Sequence, residues 1–151
     1  MRSTGDPWEL ERFVQAQAVG YDQAMVELRA GCKRTHWIWY VLPQLVGLGH
    51  SAMARRYAIS GLDEARAYLA HPLLGTRLCE SVAAINAHPD LSAQAILGSI
   101  DALKFRSCLS LFLLAAPGGE PFQTALAQFF GGTPDPATLA LTARPATPGS
   151  P

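Results

Sequence analysis

Apolar positions recur along most of this chain at the three-and-four spacing that lays a single stripe on an α-helix. Leu10, Phe13, Val14, Gln17 and Ala18 open the first stripe. Asp6-Pro7-Trp8-Glu9 ahead of it reads as a helix start, with Asp as cap, Pro in the first turn and Glu placed to bond back. Gly20 predicts a break or bend, after which Tyr21, Ala24, Met25 and Leu28 carry the stripe to Gly31, a left-handed terminal cap. Ser51 caps a helix through Tyr57, and Ser60-Gly61-Leu62-Asp63 starts another over Glu64 to Ala70. Pro72 opens a helix with Leu74, Leu78, Val82 and Ile85 on one face, ending near His88-Pro89, and Ser92 caps a short turn from Ala93 to Leu97.

Asp101 begins the most apolar segment, through Leu103, Leu109, Leu111, Phe112 and Leu114, closed by Pro117-Gly118-Gly119. Pro121 starts an amphipathic helix with Phe122, Leu126, Phe129 and Phe130, stopped by Gly131-Gly132. Asp135-Pro136 repeats the cap-plus-proline start for a last turn to about Leu141. Period-two alternation is nowhere sustained. The expectation is therefore an all-α, single-domain bundle of about six to eight short helices around one apolar helix at about residues 101–116. Residues 1–5 read as a flexible N-terminus, 6–142 as the domain, and 143–151, with three prolines and no apolar face, as a disordered tail. Ala70-His71-Pro72 and Ala87-His88-Pro89 echo one another as helix-end punctuation, since His suits a helix C-terminus and Pro stops it.

Composition narrows the picture. Of 151 residues, 49% are hydrophobic and 16% charged, against roughly 25% charged in a typical domain, so wholesale disorder is excluded. Twelve acids balance twelve bases, which argues against a nucleic-acid partner. The longest charge-free apolar run, Ser107 to Ala116, falls short of the roughly 18–20 residues of a membrane span, and Met1 to Pro7 has no apolar leader region. Cys32, Cys79 and Cys108 lie far apart, which suits a reducing cytoplasm better than a disulfide framework. No zinc-type spacing occurs, and Gly47-Leu48-Gly49 lacks the strand and third glycine of a dinucleotide fingerprint, so neither metal nor cofactor is expected.

Candidate chemistry concentrates between Gly31 and Ser51, which hold two of three tryptophans, two of four histidines and the Lys33-Arg34 pair. One reading is a pocket in which an aromatic face stacks a flat ligand and cations hold its charge, with Ser51 opening a helix whose N–H groups receive an anion. The other is a core anchor: Trp37 and Trp39 fill space between helices while Lys33 and Arg34 face water. Gln44 offers an amide to a ligand or to loop backbone. Lys104 and Arg106 lie in the first turns of the apolar helix, where an anion gains from charge and dipole, or where both side chains reach outward, with Asp101 and Glu80 as their partners. Cys108 reads as an inert core thiol, and Cys32 beside two cations as the more reactive one if exposed.

At Phe13-x-x-Ala16-Gln17, Lys33-x-x-His36-Trp37-x-Trp39-Tyr40-x-x-Pro43-Gln44, Gly47-Leu48-Gly49, Glu64-Ala65-x-x-Tyr68-Leu69-x-His71-Pro72, Leu103-Lys104-x-Arg106-Ser107 and Phe129-Phe130-Gly131-Gly132, the chain resembles a bacterial family. That family is the domain of unknown function 1810, and the match spans roughly residues 6–141. Thr35 stands where Ser is usual, Ile38 where Met is frequent and Gly20 where Pro is common. The resemblance implies helices packed around a central one and carries no activity with it. Its polar and aromatic motif residues suit a shared ligand site or a shared packing scheme.

Two functions follow as expectations. In the first, Lys33, Trp37, Trp39 and Gln44 line a site for a small anionic, partly aromatic ligand, such as a nucleotide or an ADP-ribose-like compound. Lys104 and Arg106 contact its charge, and His36 serves as general acid or base for hydrolase-type chemistry. In the second, the protein is a non-catalytic helical module that docks a partner protein or itself, through an aromatic surplus and the Phe122/Leu126/Phe129/Phe130 face.

Overall fold

A computed structural model describes residues 6–143; the expectations for residues 1–5 and 144–151 lie outside it. Among the described residues there are nine helices: α1 (Glu11–Ala30), α2 (Ile38–Val41), α3 (Ala52–Arg56), α4 (Leu62–Ala70), α5 (Leu74–Asn86), α6 (Ala93–Leu97), α7 (Ser99–Ala115), α8 (Phe122–Phe130) and α9 (Pro136–Thr142). The fold is all-α, and one isolated parallel bridge, Leu45 to Ile59, is its only extended pairing among those residues. The ninth helix is the single turn α2, too short to show a period in sequence.

Three helix starts are capped by the side chains that predict them. Ser51 Oγ accepts from Ala54 N at 3.0 Å and Ser92 Oγ from Ala95 N at 3.0 Å, while Asp135 Oδ2 accepts from Thr138 N at 2.9 Å. Two boundaries differ. Asp6 accepts from Leu10 N at 2.7 Å and Glu11 N at 3.0 Å, so α1 begins one turn later than its cap-proline pattern implies. The Trp8 and Glu9 carbonyls instead receive the Arg12 guanidinium, at 2.7 and 3.0 Å. Nor does Gly20 break α1, which is continuous over 20 residues. A glycine is needed there because a Cβ would collide with the Tyr40 hydroxyl from α2.

The centre is α7, packed against α4, α6, α8 and α9, with α5 joining α1, α4 and α8 on a second side. From Phe105 to Phe112 almost every face of α7 is buried, as a helix apolar all round requires. Its two buried hydroxyls return to their own helix, Ser107 Oγ to Leu103 O at 3.2 Å and Ser110 Oγ to Arg106 O at 2.7 Å. Phe13, Tyr68, Phe112 and Phe122 meet in series at 5.1, 5.5 and 5.9 Å between ring centroids, stitching α1, α4, α7 and α8 together. The first two turns of α7 behave otherwise: Ile100 and Leu103 are 72% and 62% exposed, so Leu103 is not part of the core.

The two His-Pro echoes are punctuation in the structure too. His71 Nδ1 accepts from Leu73 N at 3.1 Å and Leu74 N at 3.2 Å, starting α5, and the His88 ring bonds the Leu28 carbonyl at 2.8 Å, closing α1.

Candidate functional site

The segment from Lys33 to Trp39 is built around a residue that the sequence reading passed over. Glu27, on α1, is 2% exposed and accepts five hydrogen bonds. Oε1 receives Arg34 N at 2.8 Å, Thr35 N at 3.0 Å and Trp37 Nε1 at 2.9 Å; Oε2 receives Thr35 Oγ1 at 2.6 Å and Gln23 Nε2 at 2.9 Å. Burial by itself raises a carboxyl's pKa. Here the donors from Thr35, Arg34 and Gln23 outweigh it and hold the Glu27 carboxyl well below the usual carboxylate range. A signal was present in the sequence: Glu27 falls three residues after Ala24 and one before Leu28, beside the apolar stripe of α1, where an unpaired charge is costly. A further anchor joins this loop to α6, Lys33 N donating to Ile96 O at 2.7 Å.

The clamp divides the aromatic segment. Trp37, 1% exposed, is a core residue, as the anchor reading has it. Trp39 is only partly buried and lines two clefts. Its Nε1 is buried without a hydrogen-bond partner among the described residues, an arrangement that costs about 1–3 kcal/mol. The cations divide similarly. Arg34 is exposed, whereas the Lys33 side chain, 7% exposed, reaches Asp101 Oδ2 at 2.9 Å and the Thr35 carbonyl at 2.6 Å, over the Trp37 ring at 5.0 Å. Lys104 Nζ lies 3.7 Å from Asp101 Oδ1 and 5.5 Å from the centre of the Trp39 ring. Asp101 thus bridges two lysines, each over a tryptophan, and the cluster keeps one net positive charge.

Between this cluster and the start of α7 lies a cleft of about 460 Å³, lined by Lys33, His36, Trp39, Gly98 and Lys104, with Asp101, which pairs with both lysines, in the same wall. Gly98, at φ 89, is the N-cap of α7, and no side chain among the described residues caps the helix, which leaves its first N–H groups free for a ligand at that end of the cleft. His36 is exposed on the rim. The N-terminus of α3 is less available, since Ser51 already fills its own cap and the helix has five residues.

Two of the predicted site residues lie elsewhere. Arg106, two positions from Lys104, stands about 200° round the helix. Its Nε donates to Thr133 O at 2.9 Å and its guanidinium lies 5.9 Å from the Phe130 ring, so it fastens the α8–α9 connection. Gln44 lines a separate cavity of about 310 Å³ on the other side of Trp39, with Gly47, His50, Arg55 and Tyr57. Glu80 pairs with neither lysine; it accepts from the Tyr21 hydroxyl at 2.7 Å. Cys108 is fully buried and burial pushes its thiol up, as an inert core thiol requires. Among the described residues no three His, Cys, Asp or Glu side chains gather where a metal ion would sit.

The chain matches the model of a family described as a protein of unknown function, DUF1810, over residues 7–142. Among solved structures it is similar to the conserved hypothetical protein Rv1873 from Mycobacterium tuberculosis, with 48% identity and a TM-score of 0.90 over 93% of this chain and 100% of that one. No curated protein matches it. Because that match covers residues 7–142, nearly the whole of the described domain, the chain belongs to the DUF1810 family.

Proposed function

We propose that this protein binds a small anionic molecule in the cleft between the Lys33–Trp39 loop and the start of α7. The supporting observation is the convergence, in that cleft, of Lys33, Lys104 and the uncapped N-terminus of a 17-residue helix. Charge, dipole and backbone donors favour an anion there, and the Trp39 face adds room for a stacked group. His36 belongs to the same lining and makes no hydrogen bond to the described residues, which suits an acid or base whose partner is the ligand. Hydrolase-type chemistry on a phosphoester or glycosidic bond is the activity that such a set of groups serves.

The interaction-module reading loses its main argument. Phe122 and Leu126 are buried, and Phe129 and Phe130 pack on Phe105 at 6.1 and 6.0 Å, so the α8 face is occupied by the protein's own core. No helix among the described residues is long and apolar enough to cross a membrane. The reading places the protein in the cytoplasm, a setting that suits three unpaired cysteines with Cys32 exposed.

Thermal unfolding with added pyrophosphate, sugar phosphates and nucleotides tests the proposal. An anion at a hundred times its Kd adds about 2.7 kcal/mol, a shift of a few degrees for a domain of this size. The shift should vanish in Lys104→Ala and persist in Arg106→Ala. Equal shifts in both variants, or none in the wild type, would remove the cleft as the site. Replacing the exposed His36 by Ala should leave the melting temperature unchanged while abolishing any turnover.

A further inference from the structure

We propose that the site is bipartite, with Trp39 as its partition, and that its ligand joins an anionic group to a flat, uncharged head carrying hydrogen-bonding edges. The anion lies against Lys104 and the head enters the cavity beside Gln44. This rests on the anion-binding reading and adds the chemical class of the ligand.

Three observations carry it. First, Trp39 lines both cavities, the lysine-lined one at the start of α7 and the one between the Gln44–Gly49 loop and α3, whose only formal charge is the exposed Arg55. Second, the partition is not locked. Trp37 Nε1 is held by Glu27 at 2.9 Å, whereas Trp39 Nε1 has no acceptor, so packing and the Lys104 contact alone hold the indole's orientation. An indole held in this way can tilt to admit a group between the clefts, and a carbonyl or ring nitrogen arriving there supplies the missing acceptor.

Third, the second cavity has the size and chemistry of a head-group pocket. At about 310 Å³ it sits at the lower end of the roughly 300–1,000 Å³ typical of ligand sites, enough for a ring system and not for a whole nucleotide. Its lining includes two aromatic residues, Trp39 and Tyr57, and the loop glycines Gly47 and Gly49, against the second of which Ala54 packs. The Gln44 side chain is half-buried in this wall and makes no hydrogen bond to the described residues, although its own carbonyl is engaged by Ile59 N at 2.9 Å. A primary amide with two donors and an acceptor free is suited to pairing with an amide-like or amidine-like edge, as on a nucleobase. His50 and Arg55 stand exposed at the mouth.

Titration calorimetry on the full chain, with pyrophosphate, adenosine, guanosine, cytidine and uridine diphosphates, and the corresponding nucleosides, tests this. At least one nucleoside diphosphate should bind about tenfold or more tightly than pyrophosphate. Gln44→Ala should bring that nucleotide back to the affinity of pyrophosphate, leaving pyrophosphate itself unchanged. Lys104→Ala should weaken both, and Gln44→Glu, which keeps the side chain's length, should discriminate among the bases differently from the wild type. Each variant is first matched to the wild type in thermal unfolding. Pyrophosphate and every nucleotide binding alike, with Gln44→Ala silent, would overturn the bipartite site and leave the anion site standing. Binding by none of the probes would overturn both.

Discussion

Trp37 and Trp39 are two residues apart and have opposite surroundings. Around Trp37 every polar group is answered: the indole N–H, two backbone amides and a threonine hydroxyl converge on one buried carboxylate, and Lys33 covers the ring. Around Trp39 the indole N–H, the Gln44 amide and the His36 ring have no partner within the described residues. The first region is a finished piece of scaffold. The second is a set of donors, acceptors and a ring face held ready on it. The difference teaches how the proposed site is told from its scaffold: by polar groups kept out of the internal hydrogen-bond network, of which the buried Trp39 N–H alone carries a cost to stability.

The contrast breaks most severely at Glu27. Glu27→Ala should lose at least about 3 kcal/mol in denaturant unfolding, because several buried donors lose a charged acceptor together. Its pH signature has a definite sign. A carboxyl held below its ordinary value of 4.5 contributes fully above about that pH, and the contribution is lost as pH falls toward its folded-state value. The acid limb of the wild-type stability curve should therefore be steeper than that of Glu27→Gln, and parallel limbs would remove the clamp from the account.

A paired substitution sharpens the comparison. Trp37→Phe loses a hydrogen bond to a charged acceptor and should cost about 2–3 kcal/mol. Trp39→Phe removes an N–H that has no acceptor, so it should cost less by at least about 1 kcal/mol, despite the same change in ring size. Equal losses would show that Trp39 is as much scaffold as Trp37.

Gly20→Ala is a smaller test of the same α1–α2 scaffold. In an open helix this change gains about 1 kcal/mol. Here the new Cβ meets the Tyr40 hydroxyl, and a net loss of about 1 kcal/mol is expected, mostly recovered in a Tyr40→Phe background. Smallest is Arg106→Ala, which should cost about 1 kcal/mol through the Thr133 carbonyl and leave anion binding unchanged.

Much of this architecture was legible beforehand where a local rule governs it. The serine caps before α3 and α6, the Asp135-Pro136 start of α9, Gly31 as a left-handed cap at φ 75 and the all-round apolar stretch of α7 follow from neighbours in sequence. The rules failed where distant residues intervened. Gly20 carries a breaker's signal, yet α1 runs through it, and the glycine answers instead to the Tyr40 hydroxyl, which occupies the space a side chain would take. Asp6 and Pro7 announce a helix one turn early because Arg12 takes the Trp8 and Glu9 carbonyls while also reaching the Arg56 and Ala58 carbonyls at 2.8 Å and Glu64 at 2.9 Å. For the candidate site, residue types pointed to the segment from Gly31 to Ser51 without telling scaffold from surface.

Periodicity, caps and composition were sufficient for an all-helical domain with its apolar helix at about residues 101–116, within two residues of α7 at 99–115, because helix formation reads out contacts three and four residues apart. Packing alone separated Lys104, which faces Trp39 and Asp101, from Arg106, which faces Thr133. It also brought Glu27 beneath the loop and set Trp39 between two cavities. Those pairings join α1 to the loop, and the loop to α7, across stretches that no local interaction spans. Long-range burial and the need to satisfy every buried polar group are what select them.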